Sequence, residues 1–176
     1  MTEALKSTSV TNLDADPVVH NNAGKGAPGN LKVVDDYITP TTGAATGSTY
    51  QLVRVPSNAI VKQIFFEAGA MTAGKFNLSV YYSTSTTDGT AASKQGVIVP
   101  TTGDSFFASD IDCAAAVTPT DVTNESGNYT LAKRSKELWD ALALTSDPGG
   151  FFDIVAVCHT TAVTTGAAMG IKVYYV

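Results

Sequence analysis

The sequence predicts a mainly β protein: a β-sandwich or jelly roll with one short helix and an extended N-terminal arm. Three observations predict it. Short runs with a period of two recur between turns rich in Gly, Pro, Thr and Ser. Only residues 135–144 repeat apolar side chains at helical spacing. The first 48 residues sustain neither period.

Residues 1–48 hold Asn21 and Asn22, a glycine-rich run at 24–29, Pro40 and a Thr-rich tract. Their apolar content is a short patch at Leu31, Val33 and Val34. Such a composition reads as an arm that orders when something binds it. Residues 49–176 form the domain.

Residues 50–55 make a strand stopped by Pro56. Residues 60–67 alternate, with Ile60, Lys62, Ile64 and Phe66 on one side and Val61, Gln63, Phe65 and Glu67 on the other, so both faces are mixed. Residues 76–82 are cleaner. Phe76, Leu78, Val80 and Tyr82 face inward, and Asn77, Ser79 and Tyr81 face outward. After a polar loop at 83–95, residues 97–99 and 105–108 read as short strands.

In the helix at 135–144, Leu138, Trp139 and Leu142 share one apolar stripe, with Trp139 plugging an end of the core. Pro148 disfavours helix at Asp147, and Gly149 and Gly150 permit a reversal. Residues 151–160 and 169–176 are the richest in β-branched and aromatic side chains, and bring Phe152, Ile154, Ile171 and Val173 to the core. Tags or truncation at the last strand are expected to be poorly tolerated.

The chain has 176 residues, 44% of them hydrophobic, enough to bury a core. Charged residues are 15%, well below the roughly 25% of ordinary soluble domains. Thr, Ser, Asn and Gly must therefore supply much of the surface. A net charge of −5 argues against a nucleic-acid partner, which needs clustered cations to displace counterions. The basic cluster Lys133, Arg134 and Lys136 reads as a solvated helix face. The first residues lack a signal peptide's pattern, and no apolar run is long enough for a membrane helix. A soluble protein made in the cytoplasm, with no membrane partner, is expected.

No chemistry rises above background, so no catalytic, cofactor or metal residue is assigned. The run at 24–29 spells GxGxxG, but neither a strand before it nor a helix after it is indicated. His20 and His159 are the histidines, and no nucleophile near them carries a signature such as GxSxG. Asp110 and Asp112, with Asp104, could hold a structural ion, though the EF-hand spacing is absent. Cys113 and Cys158 have no metal or redox spacing, and Cys158 reads as a buried free thiol. Sequons at Asn77, Asn124 and Asn128 are expected by chance in so Thr- and Ser-rich a chain. Tyr81 and Tyr174 could form a sugar platform or anchor a subunit interface.

Three segments in order, LVRVPSNA at 52–59, DVTNESGNY at 121–129 and LWDALALTSDPGG at 138–150, resemble small β-rich virion structural proteins of tailed bacteriophages, of the capsid decoration or cement type. The resemblance covers about residues 50–176. It implies a non-enzymatic virion protein, made in the host bacterial cytoplasm, that binds the outer head surface and stabilises the shell by bridging capsid subunits. Its implied partners are the major capsid protein and itself, as a trimer or dimer. Leu31, Val33, Val34 and Tyr37 are the expected capsid contacts of the arm, and deleting residues 2–45 is expected to abolish binding while leaving the domain folded. Alternatives are a tail, neck or fibre-attachment component, or a carbohydrate-binding module. An enzyme would need a polar pocket around His159.

Overall fold

The computed structural model describes residues 4–15, 31–41, 45–85, 87, 89–100, 103–159 and 167–176. The strands are β1 (Ala4–Lys6), β2 (Lys32–Ile38), β3 (Thr49–Pro56), β4 (Val61–Ala68), β5 (Lys75–Tyr82), β6 (Ala108–Asp112), β7 (Val117–Asp121), β8 (Phe151–Cys158) and β9 (Met169–Tyr175). Two short helices join them, α1 (Thr8–Asp14) and α2 (Leu138–Ala141). One sheet has the order β1-β3-β8-β5-β6 and the other β2-β9-β4-β7. The inward side chains of both sheets meet in one core, including Leu52, Val55, Ile64, Phe66, Phe76, Leu78, Val80, Phe152, Ile154, Ile171 and Val173.

The strand order follows from one long hairpin. β5 pairs with β6, β4 with β7, β3 with β8 and β2 with β9, all antiparallel. Rolling that hairpin up brings β8 against β5 and β9 against β4, which closes each four-strand set. Eight strands rolled in this way make a jelly roll. β1 is an addition, lying parallel to β3 at the sheet edge.

Several elements differ from the sequence reading, each for a local reason. Within residues 1–48 the described segments are not free of the domain. β1 and α1 pack on β3, and β2 is the first strand of the jelly roll. β2 escaped notice because both of its faces mix charged and apolar residues. The Gly-rich run at 24–29 and His20 lie outside the described residues.

The mixed faces of β4 are resolved by a register shift between Val61 and Gln63. The extra residue turns Val61 inward beside Ile64, Phe66 and Ala68, and leaves Lys62, Gln63, Phe65 and Glu67 more exposed. The buried Tyr129 hydroxyl donates to the Val61 carbonyl at 2.7 Å. The strand expected at 105–108 is β6, starting at Ala108. Phe106 and Phe107 before it are buried and pack on Tyr129. Residues 97–99 contribute an isolated bridge, Ile98 to Tyr81, and β7 was not foreseen.

The helix expected at 135–144 shrinks to α2, one turn preceded by a 3-10 turn at Lys133–Ser135. Lys136 and Glu137 are extended between them. The Leu138 and Trp139 amides instead donate to the carbonyls of Ala59 and Ser57, tying the helix start to the β3–β4 turn. Ala143 at φ 60 ends it. Leu138 and Leu142 enter the core, whereas Trp139 lies half-buried at the rim, its indole N–H donating to Glu137 at 2.6 Å.

Candidate functional site

The two outer faces of the sandwich differ in what covers them. On the five-stranded sheet, outward-facing residues of β5 and β8 are themselves buried. Asn77 donates to Asp104 and accepts from the Asp110 amide, while the Ser79 hydroxyl donates to the Gly103 carbonyl. Arg54 of β3 meets Asp153 of β8 in a two-point pair at 2.6 and 2.9 Å, both side chains almost fully buried. The same guanidinium bonds Asp14 at the end of α1, which also takes Lys6 and the Thr84 hydroxyl. The N-terminal strap of β1 and α1 is thus clamped onto this sheet, with Ser7 N–H donating to the Gln51 carbonyl and Val10 buried.

Burial would raise the Asp14 carboxyl, but hydrogen bonds from Lys6, Arg54 and Thr84 outweigh it and hold the group below its usual range. For Asp153, deep burial pushes the carboxyl up against the pull of Arg54. Arg54 keeps its charge, because two carboxylates more than offset its burial.

The four-stranded sheet has an open outer face. Cross-strand neighbours form three rows across it. One is Val33, Tyr174 and Gln63. The next is Asp35, Lys172, Phe65 and Asp121, with Lys172 bonded to Asp35 at 2.9 Å. The third is Tyr37, Gly170 and Glu67. Tyr37 is 65% exposed and Val33 42%. Tyr174 and Phe65 stack edge to face with centroids 6.2 Å apart.

A depression of about 230 Å³ lies between Asp35, Phe65, Glu67, Pro119, Lys172 and Tyr174. A second, of about 360 Å³, adjoins it beside Tyr37, Glu67 and Gly170. A Cβ at Gly170 would come to 3.2 Å from the Glu67 carboxylate, so a larger residue there needs that side chain to shift by a few tenths of an ångström. Aromatic and aliphatic patches ringed by charged groups suit this face to hold another surface by shape and polar complementarity.

The other sequence candidates do not converge. His159 and Asp110 meet at 2.6 Å at the end of β8, both well exposed, and among the described residues no third group joins them as a relay. Asp104 accepts from Asn77 and Asp112 from the Ala114 amide, so the three aspartates point to different partners. Among the described residues no three His, Cys, Asp or Glu side chains gather as a metal site. Cys113 and Cys158 are buried and form no disulfide with each other. Lys133 caps the Asn128 carbonyl, Arg134 donates to the Lys62 carbonyl and Lys136 pairs with Asp140. The basic cluster is consumed by local structure. Tyr81 and Tyr174 stand on different sheets, so they cannot form one sugar platform.

Of the arm residues, Leu31, Val33 and Tyr37 are exposed, with Val33 and Tyr37 on the open face, while Val34 packs toward the core. Phe65, Lys172, Glu67 and Gly170 were not singled out from the sequence. The alternation of β4 displayed Phe65 and Glu67, but which of its two mixed faces pointed outward depended on the bulge, and Lys172 and Gly170 joined them through the pairing of β9.

No family model and no curated protein matches the chain. Solved structures do. The chain is similar to one in the "Capsid of Ralstonia phage GP4", with a TM-score of 0.65 and 10% identity, over 98% of this chain and 97% of that one. The fold is shared; the residues are not. A second likeness, to a chain of the "Cyanophage Pam1 capsid asymmetric unit", has a TM-score of 0.39 and 19% identity, over 90% of this chain and 97% of that one.

Proposed function

We propose that this chain is a phage capsid decoration, or cement, protein. It binds the outer head surface and stabilises the shell by bridging capsid subunits, without catalysis. The observation that carries the reading is the likeness in fold, over nearly the whole of both chains, to a component of a phage capsid. The low charge and the open face of the four-stranded sheet support it. Docking by that face places Val33, Tyr37, Phe65 and Tyr174 against the major capsid protein, with Leu31 at its margin. Val34 would act by holding β2 in place.

Cryo-electron microscopy of the parent particle tests the reading. Ordered copies across the head lattice, with this face turned to the shell, are expected. A bare head, with a dozen or fewer copies at the tail or neck, would replace it with the tail-component alternative. Tyr37→Ala and Tyr174→Ala chains, added to shells lacking the protein, are each expected to bind at least ~30-fold more weakly if these rings are central anchors. Their melting temperatures should stay near that of the unmodified chain.

A further inference from the structure

Four strands form the sheet edges, and three of them are protected against further pairing. β7 carries Pro119 at its centre, β6 breaks register against β5 with Asp110 at φ 52, and β1 is three residues long. β2 differs. Its seven residues pair with β9 in unbroken register, with no proline, and no described strand pairs with its other side. Helix α1 comes near β2 without adding a backbone ladder to it.

The hydrogen bonding of β2 shows which amides face outward. The Tyr37 N–H is taken by the neighbouring Asp36 carboxylate at 2.8 Å rather than by β9. By the alternation of an antiparallel ladder, the amides of Val33 and Asp35 point to the same side.

We infer that β2 is a pairing edge for β2 of a second copy of this chain, antiparallel about a two-fold axis at Val34. That register sets Lys32 opposite Asp36 twice, Val34 opposite Val34, Val33 opposite Asp35 and Leu31 opposite Tyr37. Moving the centre to residue 35 would put Asp35 against Asp35, and moving it to residue 33 would lose both Lys32–Asp36 pairs, so the charges select the first register. The Tyr37 amide passes from Asp36 to the Leu31 carbonyl of the second copy, and Asp36 stands opposite Lys32 of that copy. The product is one continuous sheet through both copies, which doubles the open face. This inference stands on the isolated chain and does not need the capsid reading.

The test is the mass of the full chain in solution by light scattering across a concentration series, with circular dichroism to check folding. The unmodified chain is expected to be a dimer. Asp35→Pro removes an outward amide without touching the β9 ladder, and is expected to weaken dimerisation more than tenfold while folding normally. Lys32→Glu and Asp36→Lys are each expected to weaken it about tenfold, and the double variant to restore it. If Asp35→Pro fails to fold, the charge pair decides alone. A monomer at the highest concentrations, a folded Asp35→Pro dimer, or a double variant no better than the singles would overturn the inference. Each of these is read without shells, so it is separate from failure of the capsid reading.

Discussion

Arg54 is the residue on which the covered sheet depends. Its guanidinium satisfies Asp153 inside the protein and reaches out to Asp14 on the strap. Replacing it with leucine strands a buried carboxylate, so Arg54→Leu is expected to cost about 3–5 kcal/mol in denaturant unfolding. A loss below about 1 kcal/mol would mean that Asp153 is not held as an ion. Asp14 gives a pH dependence. Its carboxyl lies below its ordinary range when folded, so its contribution is complete above that range and is lost as pH falls through the lower, folded value. Protection of the α1 amides, taken relative to their intrinsic exchange rates, should therefore fall below about pH 4, and Asp14→Asn should flatten that dependence. Burial, with Asp112 adding, pushes the Cys113 thiol up to about 12. At pH 8 Cys113 of the folded protein should react with a thiol reagent about a thousandfold more slowly than an exposed cysteine, as read by mass spectrometry of the labelled peptide.

Elements record where sequence periodicity was enough and where it was not. β5, β8 and β9 were legible because each supplies an apolar row to the core. Even so, Asn77 and Ser79, expected to face solvent, are buried under residues 103–110. An alternating pattern distinguishes the two faces of a strand, but it does not say what lies beyond the polar one. β2 was hidden for a related reason: an edge strand with one open face needs no apolar row. The bulge in β4 was invisible because an inserted residue swaps the faces part-way along. Its repair by Tyr129 can be measured. Tyr129→Phe removes the hydroxyl bond to the buried Val61 carbonyl and is expected to cost about 1–3 kcal/mol in unfolding free energy. A change near zero would show that the bulge satisfies itself. Of the open face, Tyr174 and the apolar residues of β2 were in view from the sequence. Phe65, Lys172 and Gly170 joined them only through the register of three strands.

For the whole molecule, the rolled hairpin revises the expectation that residues 2–45 can be deleted without harm. That cut removes β2 and opens the long edge of β9. The truncated protein is expected to aggregate or melt well below the full chain, whereas removal of residues 2–15 costs only the strap. A well-folded, soluble 2–45 deletion would show that β2 is dispensable.

The same pairing has a consequence in time. β9 lies between β2 and β4, yet of the nine described strands it is the last to be made. On a translating ribosome β2 therefore stays apart from β4 and β7 until β9 emerges, and it waits for its neighbour while well over a hundred residues are added. Partial chains cannot display the complete surface, so prematurely ended products should not compete with finished copies for their sites.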